Sequence, residues 1–416
     1  MKKEPTISDA CASKCACIQM KAQTENENNL QVEQRIQNIE TGLLEVIVDP
    51  KGFTSFNSIT QTQNKNKLID RMSFYKTPGV SIAVINDNRI EWAKGYGILK
   101  AGSEAPVTPE SYFEAGSISK LIVAAIVLHY VEAGKLSLDE DVNRYLKSWQ
   151  IPENEFTNEK KVTLRLLLTH QSGLPFLNMM WYDCKIGVPS LVQVVKGELP
   201  AWNKAAIPEI VPGSKWQYSN IGYVLIQLLL EDVLGKPLAQ IAEETIFNPL
   251  DMKSSTFSYP LMEELQRSEA MPHDKNGESR EPAMHGTALA QGGLVTTPTD
   301  LAKFTLELML AYSGKSKVIF SQGMAKKMFN REREIDFYGL PMAEGLGVFL
   351  RGKERFSFNH TGYNWPGTGS WLEGCPDSGK GVVLMVNGEN AMFLELEILA
   401  AIFNEYGWGT GQYFEK

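Results

Sequence analysis

No stretch of the 416-residue chain approaches the roughly 20 continuous apolar residues that a bilayer-spanning helix needs, so no membrane span is expected. Positive charge is in deficit: 41 Lys and Arg against 49 Asp and Glu leave a net charge of −8. That balance favours solubility and argues against phosphate backbones, so no nucleic-acid partner is expected. Cysteine is scarce, with five in the whole chain, and forms no evident disulfide framework. Cys11, Cys15 and Cys17 crowd a polar N-terminal stretch, while Cys184 and Cys375 stand alone. Three neighbouring thiols fall short of a four-ligand zinc site, so no metal is assigned and they read as free thiols. The opening MKKEPTISDACASKCACIQMKAQTENENN carries two lysines but no apolar run of the secretory type. As written the protein reads as cytoplasmic; a removed leader would make it exported. A Gly-x-Ser-x-Gly elbow, a Gly-rich phosphate loop and a paired-histidine zinc motif are all missing. No cofactor is expected.

What is present belongs to an ordinary globular protein, 43% hydrophobic and 22% charged. A chain of this length buries enough surface to need no staple. Residues 1–30, rich in Asn, Gln and Glu, are expected to lack fixed structure. Ile36, Ile39, Leu43, Leu44 and Ile47 recur at helical spacing and predict an amphipathic helix ended by Asp49-Pro50. Val80–Ile85 and Ile90–Tyr96 predict two strands joined through Asn86-Asp87-Asn88. A helix is predicted from Ser117 to Ala133, stopped by Gly134, with Ile118, Leu121, Ile122, Ala125 and Leu128 as its buried stripe.

Helical patterns then dominate residues 135–310, most clearly at Leu164–Leu168, Ile221–Leu234 and Leu238–Ile246. Strand texture returns at Gly345–Leu350, Phe356–Asn359, Gly369–Leu372 and Val382–Val386, before a last helical pattern at Phe393–Tyr406. The expected fold class is α+β. Residues 31–134 and 311–416 would build one sheet domain from both ends of the chain, with a mainly helical domain, 135–310, inserted between them.

Three constellations carry chemistry. In Ser117-Ile118-Ser119-Lys120 the hydroxyl and the amine are three residues apart, on one face of a helix. Serine needs a neighbouring base to become a nucleophile, and a lysine serves when burial depresses its pKa. A helix N-terminus adds backbone N–H groups where an oxyanion would develop. A Ser-x-x-Lys match arises by chance roughly once or twice in a chain this long. A lone match of this kind is most often a capped helix with a solvated lysine. In Tyr218-Ser219-Asn220, a tyrosinate kept ionised by a lysine ammonium is a plausible base, and Asn220 can hold Lys120 or a substrate amide. The competing interpretation is a helix-start turn with a packed tyrosine. In His360-Thr361-Gly362 the glycine permits close approach to a strand edge, and His360 and Thr361 offer an imidazole and a hydroxyl to a ligand.

Together and in this order, the three motifs resemble the active-site triplet of the serine β-lactamase and penicillin-binding-protein superfamily, above all its class C branch with esterase and D-aminopeptidase relatives. The segments Phe113–Lys120, Val162–Leu174, Gly235–Leu238, Pro249–Met252 and Gly292–Leu301 also fall in family order, so the resemblance covers about residues 70 to 405. It implies a β-lactamase/DD-peptidase-like fold, a mainly antiparallel sheet flanked by helices with an inserted all-helical domain. It implies a serine acyl hydrolase forming a covalent acyl-enzyme with esters, small amides or β-lactam and D-alanyl-type substrates. Ser117 would be the nucleophile, Lys120 and Tyr218 would handle protons, and the backbone N–H groups of Ser117 and Tyr363 would form the oxyanion hole. Asn220, His360, Thr361 and Gly362 would bind substrate. One departure is notable: many β-lactamases carry Lys where His360 stands, and a mostly neutral imidazole is a poor partner for a substrate carboxylate. Esters or small amides are therefore favoured over penicillin-like substrates. Trp181, Trp216, Tyr363 and Trp365 are candidates for an apolar pocket wall, and His170 and Ser172 are structural by the family likeness. The alternative is a penicillin-binding receptor or scaffold that uses the same fold without turnover.

Overall fold

The computed structural model describes residues 27–47, 55–56, 59–176, 182, 187–258, 261, 263–281, 286–353 and 356–408. Cys11, Cys15, Cys17, Cys184, Trp181 and the Asp49-Pro50 stop lie outside them. A helix over 27–40 is followed by strand β1 (Leu43–Ile47), which pairs antiparallel with β2 (Thr60–Asn66). This corrects the single amphipathic helix expected through Ile47. The chain leaves the helix at Thr41-Gly42, and the Leu-Leu-Glu-Val-Ile run that follows takes the extended form β-branched residues favour.

An eight-stranded antiparallel sheet organises the molecule. It is built from β3 (Gly79–Asn86), β4 (Arg89–Gly97), β7 (Arg333–Phe337), β8 (Leu340–Glu344), β9 (Phe349–Arg351), β10 (Ser357–Asn364), β11 (Thr368–Cys375) and β12 (Lys380–Val386). Its order is β4-β3-β12-β11-β10-β9-β8-β7, so strands from both ends of the chain meet at the β3–β12 pair. A short separate ladder joins β5 (Phe113–Glu114) to β6 (Val295–Thr296). The expected hairpin closes through Asp87-Asn88, both at positive φ, the conformation of the two-residue turns that match strand twist. The strand expected at Gly345–Leu350 begins only at Phe349. Residues 345–348 form a loop instead, with Gly347 at φ +76°, and the pairing shifts upstream into β7 and β8.

Both faces of the sheet are buried, and the period-2 rule divides each central strand between two cores. Val80, Ile82 and Val84 of β3 join Val382, Leu384 and Val386 of β12 on the face covered by the helix Ala391–Glu405. Ala83, Ile85, Val383 and Met385 point to the other face, against the helix Pro298–Tyr312. That helix packs on β3, β11 and β12, so the sheet layer draws on residues ahead of 311. The helix Ile118–Glu132 has every residue from Ile118 to Leu128 buried, as its nearly uninterrupted apolar sequence demands. It contacts β10 and β11 on one side and the helix Asn220–Leu234 on the other. Each fully buried Leu or Ile contributes about 1.5–3 kcal/mol, so the residues that carry Ser117 sit on a rigid support. Among the described residues, no helix is long and apolar enough to cross a membrane.

Candidate active site

Ser117 occupies the N-cap position of the Ile118–Glu132 helix, yet its side chain makes no capping hydrogen bond. The turn ahead of it is fastened by Ser119, whose Oγ donates to the Gly116 carbonyl at 2.6 Å and accepts from the Leu294 amide at 3.0 Å. The Ser117 hydroxyl is thereby left to Lys120, whose Nζ lies 2.9 Å from Oγ. Lys120 is fully buried and also donates to the Gln291 carbonyl. The capped helix with a solvated lysine is excluded on both counts. Burial disfavours the ammonium and holds the Lys120 amine well below the usual lysine range.

Tyr218 arrives from the loop ahead of the Asn220–Leu234 helix and lines the same cavity as Ser117, whose side chain favours the ionised phenol. The ring lies 5.1 Å from Lys120 Nζ and packs against His170, tilted by 35° with 4.2 Å between centroids. His170 sits at positive φ and accepts a hydrogen bond from the Ser219 amide through Nδ1, so it fixes the Tyr218 segment from beneath. The phenol titrates above the usual tyrosine range, because burial raises it and the Glu344 carboxyl nearby adds to the rise. This corrects the expectation of a tyrosinate held by a lysine ammonium: burial moves the phenol up and the amine down, so both groups favour their neutral forms. Glu344 went unnoticed in the sequence. It is a buried carboxyl that accepts from Trp216 Nε1 at 3.1 Å and is itself held well above the usual carboxylate range by burial. Nothing in the segment Met342-Ala343-Glu344-Gly345 marks it, since the carboxyl is buried only by partners distant in sequence.

Strand β10 supplies the other side of the site. It pairs with β11 from Phe358 to Asn364 but with β9 only from Ser357 to Asn359, so its second edge has no β9 partner from His360 onward. There the backbone presses against the turn that carries Ser117. A Cβ on Gly362 would lie 2.0 Å from the Ala115 carbonyl oxygen and 2.8 Å from the Ser117 nitrogen. A Cβ on Gly116, at φ +49°, would lie 2.7 Å from the Tyr363 nitrogen. Both positions require glycine, and their contact sets the Gly116-Ser117 backbone against that of Gly362-Tyr363. His360 is buried with Nδ1 2.7 Å from the Thr361 carbonyl. Its pKa is pushed down to about 3, first by burial and then by Lys120, so the imidazole is neutral across the physiological range.

These groups open on one cavity of about 970 Å³, whose lining includes Ser117, Tyr218, Asn220, His360, Thr361 and Tyr363. Asn220 is buried as the first residue of its helix, whose N-cap Ser219 accepts from the Gly222 amide. Of the aromatic candidates, Trp216 and Tyr363 line the cavity; Trp365 is half exposed, on the turn beyond β10, and does not.

A hydroxyl bonded to a buried amine, with a phenol ring 5.1 Å from that amine, is an arrangement that suits nucleophilic chemistry at a serine. The sequence profile of the β-lactamase family matches residues 65–404, and the chain belongs to that family of serine hydrolases. An Escherichia coli (strain K12) protein provisionally named D-alanyl-D-alanine carboxypeptidase is 25% identical over 387 residues, covering 81% of this chain and 86% of that protein. The octameric penicillin-binding protein homologue of Pyrococcus abyssi superposes with a TM-score of 0.67 at 25% identity, covering 83% of this chain and 77% of that one. The D-alanine carboxypeptidase AmpC of Burkholderia cenocepacia shares the fold, with a TM-score of 0.63 at 19% identity over 81% of this chain and 96% of its own.

Proposed function

We propose that this protein hydrolyses esters or small amides through a covalent acyl-enzyme on Ser117. The observation that carries the proposal is the 2.9 Å contact between Ser117 Oγ and the fully buried Lys120 Nζ. A neutral Lys120 takes the proton from Ser117 as Oγ attacks the substrate carbonyl. The oxyanion forms between the Ser117 and Tyr363 N–H groups, where one donor typically contributes about 3 kcal/mol of transition-state stabilisation. As the scissile C–O or C–N bond breaks, Tyr218 gives its phenolic proton to the leaving group and is reprotonated by the Lys120 ammonium. Water then attacks the acyl-enzyme, passing a proton back through the same pair to Ser117 Oγ as the acid leaves. The free edge of β10 would align an amide-bearing substrate as an added strand, with Asn220 and Thr361 as side-chain contacts. A neutral His360 offers a substrate carboxylate no charge, which supports esters and small amides over penicillin-like substrates.

A receptor that keeps its acyl group would share all of this except turnover. Incubation with a chromogenic short-chain ester and with a fluorescent penicillin separates the two: steady release of chromophore is expected, and a stable stoichiometric penicillin label without ester turnover would mark a receptor. Ser117→Ala should lower ester hydrolysis on the order of 10⁴-fold or more. Retained activity in that variant removes Ser117 as the nucleophile.

A further inference from the structure

We propose that the cavity beyond Ser117 is an acyl channel that selects uncharged, apolar acyl groups much larger than acetyl. This rests on the hydrolase function proposed above and names its substrate class. Asn359, Thr361 and Tyr363 alternate onto one face of β10, and their cross-strand partners share that face. Trp371 stands directly opposite Thr361, and Phe349 directly opposite Asn359. A substrate held at the free edge of β10 therefore meets an apolar surface at once. The wall continues through Phe337, Leu340 and Met342 of the β7–β8 hairpin and reaches Phe56.

Charge is nearly excluded from this surface. Arg351 also lines the cavity, but its guanidinium donates to Glu373 at 2.8 Å with both side chains buried, so its charge is matched. The other charged lining residues, Lys215 and Asp336, are exposed to solvent. The entrance is apolar too: Phe176 and Tyr338 line it while remaining 56% and 60% exposed. At about 970 Å³ the space stands at the upper end of the roughly 300–1,000 Å³ typical of small-molecule sites. An acetyl group would leave most of it to water against apolar walls, the arrangement a larger apolar acyl group relieves.

The test is a series of p-nitrophenyl esters, acetate, butyrate, hexanoate and octanoate, with kcat/KM as the readout. Each buried methylene contributes up to roughly a fourfold gain, so octanoate is expected to exceed acetate by at least thirtyfold. Phe337→Asp places a carboxylate in the wall and should reduce the octanoate-to-acetate ratio by tenfold or more. A flat or falling series that still disappears in Ser117→Ala overturns the acyl channel and leaves the hydrolase proposal standing. Hydrolysis of every ester that persists in Ser117→Ala overturns both. A rising series whose slope Phe337→Asp leaves unchanged removes the β7–β8 hairpin from the site and overturns the channel as assigned.

Discussion

On the Ser117 side of the cleft, Ser117 and Lys120 lie within one helical turn, and the glycines that pack their backbone, Gly116 and Gly362, tolerate no added atom. On the opposite side, the wall is assembled from Phe56, Phe337, Leu340, Met342 and Phe349, drawn from separate segments and required only to be apolar and to fit. The first region is a matter of bond-length geometry, the second of area removed from water. Substitutions in the two should therefore fail differently. Loss of geometry lowers the rate for every substrate alike, whereas loss of wall changes how the rate depends on the acyl group.

The sharpest probe of this difference is Lys120→Met, which keeps the buried volume and removes the amine. Loss of a general base costs on the order of 10²–10⁴-fold. The fall should be equal for acetate and octanoate esters, measured as parallel drops in kcat/KM. The acid limb of the wild-type pH–rate profile, set by the lowered pKa of Lys120, should vanish with it: wild-type activity rises with pH as the amine loses its proton, and the residual rate of the variant should not. A fall confined to long acyl chains would place Lys120 in the wall and erase the distinction.

Next in size is Gly362→Ala. The new Cβ meets the Ala115 carbonyl at 2.0 Å and Ser370 Oγ at 2.6 Å, so β10 must move away from the turn that carries Ser117. Separation of the two amides should cost about 10²–10³-fold in kcat, the value of one oxyanion donor. Steady-state kinetics should find kcat and kcat/KM reduced together, because the interaction is made only in the transition state. A rise in KM at constant kcat would mean that the contact serves substrate binding instead.

The same division explains what could be read before folding was known. Ser117 and Lys120 announce themselves because one turn of helix fixes their separation. The Asn86-Asp87-Asn88 turn, the first half of β10, the Gly369–Leu372 part of β11 and the Val382–Val386 run of β12 are legible because turn chemistry and strand-forming composition are local. The apolar spacing of Leu43–Ile47 continues that of Ile36 and Ile39 and so reads as helix; only pairing with the polar β2 makes it a strand. β7 and β8 carried no signal, since strands such as Arg333–Phe337 mix charge with apolar residues at a sheet edge. The direction of the Tyr218 shift is hidden from the sequence for a related reason: the burial that dominates both Tyr218 and Lys120 comes from the tertiary fold.

Glu395 stands at the seam between the regions and gives the smallest expected effect. It lies on the Ala391–Glu405 helix, fully buried, and accepts a hydrogen bond at 2.5 Å from the hydroxyl of Tyr363, whose backbone nitrogen packs against Gly116. Burial pushes its pKa from 4.5 up to about 8. Between those values the folded protein keeps a proton that the unfolded chain has released, so this group's contribution to stability is full below pH 4.5 and declines as pH rises towards 8. The slope is at most about 1.4 kcal/mol per pH unit. Glu395→Gln removes the titration, so denaturant unfolding across that range should show a flatter pH dependence and a gain over wild type at the alkaline end. If Glu395 only supports the wall, ester turnover should change by no more than a few-fold. A hundredfold loss of kcat with an unchanged stability slope would instead make it a positioning residue for the oxyanion hole, and the boundary between chemistry and packing would have to be drawn one layer deeper.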